Sequence, residues 1–157
     1  GSDSINAVGN YSNNRITGND ADNVLVGLPG ADTLTGGLGI DRFVYRSAFD
    51  SHLGDSSSYY DHITDFNPAE DHIHLPFDTV SQFKTITPMS ELTQSTVSDA
   101  FVAASIEALD VVLFEVGERL FIVANDENPD YSVTDDLLIE VTGSSPSDFT
   151  TTNFVVS

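Results

Sequence analysis

The sequence predicts an all-β chain: a short parallel β-roll of nine-residue repeats, continued by antiparallel β-strands in a sandwich-like arrangement, with one short helix. Three observations lead there. Residues 9–44 read in register as GNYSNNRIT, GNDADNVLV, GLPGADTLT and GGLGIDRFV. The second half carries short runs rich in β-branched and aromatic residues and a single stretch with helical spacing. The 157 residues include no cysteine, which excludes disulfide staples and thiolate metal sites and leaves bound ions as the staple.

Each repeat has Gly at its first place. The sixth place holds Asn14, Asn23, Asp32 and Asp41, and the eighth Ile16, Leu25, Leu34 and Phe43. A Gly-rich run of six turns tightly and leaves carbonyl oxygens uncovered. The three residues after it make a short strand with one side chain pointing inward. Turn, strand, turn, strand closes one coil, so units two apart stack on the same edge, Asn14 above Asp32 and Asn23 above Asp41. Residues 45–53 keep Asp50 at the sixth place but lose the glycines, as an atypical terminal repeat does, and put Asp50 over Asp32.

A column of carboxylates facing stacked carbonyls is repulsive unless a cation lies between the layers. A hard ion that accepts about six to eight oxygen ligands fits, which means calcium rather than magnesium. The expected ligands are the side chains of Asn23, Asp32, Asp41 and Asp50, with turn carbonyls of Leu28, Gly30, Gly36 and Leu38. Asparagine is neutral, so the first two units can also stack as a metal-free amide ladder; Asp20 and Asp22 argue for an ion there.

The formal charge is −20, from 25 acids against five bases. Such an excess repels nucleic acid and anionic membrane surfaces and attracts cations. With 39% hydrophobic residues and ten Phe, the chain can still pack a core once that charge is neutralised. No apolar run reaches membrane-spanning length and no signal peptide is present. Gly1-Ser2 reads as a cloning scar before a lead-in to residue 8, which marks the chain as a fragment from the end of a longer protein.

Beyond the repeats, 54–60 is a small-residue loop and 61–77 two alternating strands around the turn Asn67-Pro68-Ala69-Glu70. Residues 98–109 read as an amphipathic helix behind a Ser or Asp cap. Residues 111–115, 119–124 and 136–141 are strands, the first two joined by the hairpin turn Val116-Gly117-Glu118, and 153–156 is a last strand.

The repeat pattern, matched at every specified place by GGLGIDRFV, resembles the calcium-binding RTX nonapeptide. The segment after it is similar to that of serralysin-type carboxy-terminal domains and the R-modules of mannuronan C5-epimerases. The matching residues are Phe43-Val44-Tyr45, Ser47 to Ser51, Asp61 to Phe66 and Glu70 to Leu75. That resemblance implies that Asp61, Asp65 and Asp71 belong to the metal set, Asp65 and Asp71 joining Asp41 and the Gly37 and Gly39 carbonyls in the last calcium site. His74 stands where the family has Asp. A zinc site on His72-Ile73-His74 with Asp61 or Asp65 is the weaker reading, because spacing fixes no third nitrogen ligand and no HExxH helix is present.

LFIVANDENPDYSVTDDLLIEVTG resembles the "bluetail" segment that ends some cyanobacterial RTX-like surface proteins. Asp126, Asn128, Asp130, Asp135 and Asp136 read as a solvated loop more readily than as an extra metal site. The tail Asn153-Phe154-Val155-Val156-Ser157 has the apolar run of a type I secretion signal, within residues 149–157, but Asn in place of the acid. No nucleophile elbow, zincin helix or phosphate loop occurs. The expected function is a non-catalytic, monomeric, calcium-folded module on a secreted or cell-surface protein, with residues 54–157 capping repeats 9–53 and the type I secretion machinery as partner. The alternative is an auxiliary module that binds extracellular polysaccharide.

Overall fold

The structure is a computed structural model and describes residues 3–54, 59–128, 130–132 and 135–156. Gly1-Ser2, residues 55–58 of the small-residue loop and Ser157 of the tail lie outside the described residues.

Each repeat contributes one three-residue strand. These are β2 (Arg15–Thr17), β3 (Val24–Val26), β4 (Thr33–Thr35) and β5 (Arg42–Val44), preceded by β1 (Asn6–Val8). Alternate strands go to opposite sheets, as the turn-strand-turn-strand coil requires. The order is completed by β6 (Asp61–Ile63), β7 (His72–His74), β8 (Phe83–Thr85), the helix α1 (Gln94–Ala104), β9 (Val111–Val116), β10 (Arg119–Ala124), β11 (Leu137–Val141) and β12 (Phe154–Val155). One sheet runs β1-β3-β5-β7-β12 and the other β2-β4-β6-β11-β10-β9-β8.

The first sheet is parallel throughout. In the second, β11 continues the parallel stack on β6, and only β9, β10 and β11 pair antiparallel. The second half is therefore mixed rather than uniformly antiparallel, because β8, β11 and β12 each add parallel to a neighbour. Beyond β6 and β7 both sheets of the roll are thereby extended by strands from far along the chain, so no seam separates repeats from cap.

Leu25, Leu34, Phe43, Ile63 and Ile73, one inward residue per strand, are buried between the sheets. Leu113, Ile122 and Ile139 from β9, β10 and β11 join the same core. On the other face of the larger sheet, Val112, Phe114, Phe121 and Val123 are covered by Val97 and Phe101 of α1. That helix begins four residues before the expected start. Thr93 accepts from the Thr96 backbone N–H, and the Thr96 hydroxyl returns the interaction to Thr93, a reciprocal cap that Ser98 has no partner to match. Ser105, at φ 51°, ends it, so Ile106 packs from the following loop.

Phe43 is fully buried at the centre of the shared core. Phe43→Ala is expected to cost about 3–5 kcal/mol. Because both halves share that core, melting should shift downward as one transition; two separate transitions would show that the halves fold apart.

Candidate metal centre

Two ladders of side chains run through the turns. In the first, Asp32 Oδ1 accepts the Asn14 backbone N–H at 2.6 Å, and Asp61 Oδ1 accepts that of Asp32 at 2.9 Å. In the second, Asn23 Oδ1 accepts from Ile5, Asp41 Oδ1 from Asn23 at 2.8 Å, and Asp71 Oδ1 from Asp41 at 2.9 Å. The expected stacking of Asn14 with Asp32 and of Asn23 with Asp41 is thus present. Asp50 does not sit over Asp32; Asp61 does. After β5 the chain lacks the glycines for another turn and enters a single 3-10 turn, Ala48–Asp50, capped by Ser47. Asp50 closes that turn by accepting the Arg46 N–H, and the return to the stack waits for β6.

Each ladder uses one oxygen of every carboxylate and leaves the other to be accounted for. Asp32 Oδ2, Asp41 Oδ2 and Asp61 Oδ2 are buried without a hydrogen-bond partner. The three residues are at most 1% exposed. An unsatisfied buried acceptor costs about 1–3 kcal/mol, and a charged one more. Burial accordingly raises all three carboxyls above the usual range. Asp61 is pushed up to about 9, with repulsion from Asp32 and Asp50 added to burial. Asp71 is pushed up to about 6, first by burial, and its second oxygen holds the Asn67 N–H. Tyr45, buried against Asp61, has its phenol pushed up for the same reason.

The first-place glycines make room for these oxygens. A methyl group on Gly27 would overlap Asp32 Oδ2, and one on Gly36 would overlap Asp41 Oδ2. Buried carboxylate oxygens without partners, beside glycine turns, have the donor chemistry that a hard oxygen-preferring cation fits.

The second ladder differs at Asn23. Its Nδ2 donates to Ala21 O, to Asn19 O at 3.1 Å, to Gly36 O at 3.3 Å and to Asp41 Oδ1 at 2.8 Å. An amide nitrogen thus points into the oxygens between units two and four, the kind of metal-free contact expected of the asparagines in the first two units. The turns 27–32 and 36–41 hold Leu28, Gly30, Gly36, Gly37, Leu38 and Gly39. Leu28 takes the left-handed φ of 68° that Gly37 supplies at the same place one unit on, at 112°. Asp65 clamps the last turn, accepting the Gly36 and Gly37 N–H groups at 2.9 Å each. It adds negative potential at Asp41 and Asp71.

Two participants lie outside the expected ligand set, although Asp22 already argues for an ion in the first two units. Asp22 accepts the Ile40 N–H at 2.8 Å and adds to the field at Asp41. Ser51 caps the first ladder, its Oγ accepting the Asp61 N–H at 2.7 Å while donating to Leu138 O. The Asp22 role follows from the 18-residue stacking rule; that of Ser51 depends on β11 and has no local signal.

The histidines are spread out. His52 stacks on Tyr59, His62 bonds Thr142, and His72 and His74 face away from the core on β7. Asp65 meets Gly36 and Gly37 rather than an imidazole. In the late acidic loop Asp136 is fully buried, accepting the N–H groups of Asp126 and Ser132. Burial pushes it up to about 7. It anchors the loop, which is therefore not simply solvated.

Residues 8–43 match the RTX calcium-binding nonapeptide repeat, in four copies. The repeats of this chain are thus of a calcium-binding kind, and calcium is the family's ion. Among solved structures, the chain is similar to the AlgE6R2 subunit of the Azotobacter vinelandii mannuronan C5-epimerase. The TM-score is 0.59 at 17% identity, covering 99% of this chain and 88% of that one. The AlgE6R3 subunit of the same epimerase gives 0.55 at 20% identity, covering 99% and 80%. At such identities the likeness is one of fold, the β-roll of the R-modules. No curated protein matches the chain.

Without metal, the raised carboxyls set the sign of the pH dependence. A group whose folded pKa exceeds its unfolded value binds more protons when folded, so stability falls as pH rises between the two. For Asp71 that window runs from the ordinary carboxylate value to about 6, and for Asp61 to about 9. In chelator, melting temperature should therefore decline from mildly acidic pH toward pH 9, and calcium should flatten or reverse the slope. A chelated protein that gains stability over this range would contradict the assignment.

Proposed function

We propose that the chain is a non-catalytic, calcium-folded module of a larger exported protein, its residues 54–157 capping the repeats of 9–53. The observation that carries this reading is the set of partnerless buried oxygens on Asp32, Asp41 and Asp61. Asp32 and Asp61, with carbonyls of the turn holding Leu28 and Gly30, would hold one ion. Asp41, with Asp65, Asp71 and carbonyls of Gly36, Gly37, Leu38 and Gly39, would hold another. Asp50 contributes field rather than a stacked ligand. Asn23 would ligate only with its oxygen turned into the cage.

Calcium bound by the folded form and not by the unfolded one adds its binding free energy to folding. In a low-calcium cytosol the ladders remain repulsive and the chain loose, which suits passage through a type I exporter; outside the cell the ions close the stack. The placement of the tail supports this order of events. Asn153 is buried, donating to Pro68 O and Asp71 O, and Phe154 enters the core. An export signal there is available only before folding.

A second reading, as a polysaccharide-binding auxiliary module, draws on the outer face of the first sheet. Arg42 pairs in register with His72, and His74 lies two residues on, beside Val44. Burial first, then Arg42 and His72, depress His74, so its neutral form is favoured and the positive charge of this face comes from the Arg42 guanidinium. Titration with an anionic glycan should move the amides of β5 and β7; silence at every concentration would retire this reading.

For the first reading, far-UV circular dichroism of the chelated chain should gain β signal with calcium and not with equal magnesium. Asp41→Asn and Asp32→Asn should each weaken apparent affinity about tenfold or more, and Asn23→Asp should strengthen it. Equal response to both ions would overturn the proposal.

A further inference from the structure

Three aromatic side chains stand exposed among the described residues: Tyr11 at 81%, Phe49 at 54% and Tyr59 at 44%. All three line one cleft of about 400 Å³, although they come from the first repeat turn, the 3-10 turn after the last repeat, and the bridge beyond it. Asn13, Pro29, Gly30 and His52 complete the described lining. The volume is in the range of small-molecule pockets. The walls are held in place: His52 lies parallel to Tyr59 at 5.3 Å, Phe49 meets His52 edge-on at 5.9 Å, and His52 and Tyr59 exchange both backbone hydrogen bonds. Asn13 Oδ1 is engaged by the Ala31 N–H, which fixes the floor between the first and third turns.

Exposed rings from three segments converging on one cleft are costly unless something covers them. Among the described residues the lining contains no carboxylate to attract a hard metal ion, and no Lys or Arg to attract an anion. It consists of aromatic faces and edges, a proline and one amide, with few groups to satisfy the hydroxyls of a sugar. The chain around it carries a formal charge of −20, a field that concentrates cations at its surface. Aromatic faces in a negative field favour a diffuse organic cation, through the ring quadrupole and without hydrogen bonds.

We infer that this cleft is a binding site for a small quaternary ammonium cation, a free solute of the choline class. The cleft shares Gly30 with the turn of Asp32, but its aromatic walls belong to no ladder residue, and the site does not rest on calcium occupying the ladders. Ring faces receive the methyl groups, and the acidic surface supplies attraction that salt screens.

The test uses the full chain in excess calcium, so that the ladders do not compete, with choline as probe and N-methyl proton shifts as readout. Expected are an upfield ring-current shift that saturates in the millimolar range, weakening at high salt, and at least tenfold weaker binding of the uncharged isostere 3,3-dimethylbutanol. Tyr11→Ala and Phe49→Ala should each abolish the shift; Tyr11 is so exposed that its removal should leave circular dichroism and melting unchanged. Equal binding of the uncharged isostere, binding of methyl glucoside in place of choline, or choline binding indifferent to Tyr11→Ala would each overturn the assignment.

Discussion

Everything in this molecule is arranged around the need to stack carboxylates. Parallel strands repeat at about 4.8 Å, so a residue at the sixth place of one turn has its counterpart close beneath it. Only one of its oxygens finds a backbone N–H across the layer. The other is buried with like charge above or below. Glycine at the first place is what admits that second oxygen, since a methyl there would overlap it at Gly27 and Gly36. The ladders therefore hold the turns in register while making the unliganded state unfavourable, a combination suited to folding controlled by an ion.

The cap follows from the same constraint. A β-roll that simply stopped would leave an open stack end and bare sheet edges. Here Asp61 of β6 and Asp71, just before β7, are the last members of the ladders, and β11 and β12 extend the two sheets beyond them. Ser51 and Asn153 then tie the ends of the ladders to those strands. Because the inward residues of the repeats share a core with β9, β10 and β11, the stacked turns and the packing of the cap belong to one unit.

Much of this was legible in the sequence where the period is strict. Nine-residue spacing gave the alternation between sheets, and with it the stacking of Asn14 on Asp32 and Asn23 on Asp41, because nothing but local turn geometry decides it. Once the glycines end, register is set by distant partners. Asp50 keeps the right place in the count but falls in a 3-10 turn, and Asp61, eleven residues later, takes the position over Asp32. The strand at Phe83–Thr85 escaped notice because its three residues have no pattern of their own and pair only with β9. The helix was found but misplaced, since Thr93 and Thr96 cap each other across a spacing that an apolar-periodicity reading passes over. Asparagine at the sixth place is where the two ladders differ: the Asn23 amide donates to turn carbonyls and to Asp41, contacts that a carboxylate there would not make.

The most direct test is amide hydrogen exchange of the ladder N–H groups of Asn14, Asn23, Asp32 and Asp41, with and without calcium. If a cation relieves the stacked carboxylates, protection at Asn14, Asp32 and Asp41 should be low in chelator and rise by orders of magnitude with calcium, with β9 and β10 following because the core is shared. Ladder amides already fully protected in chelator, and unchanged by calcium, would contradict the account.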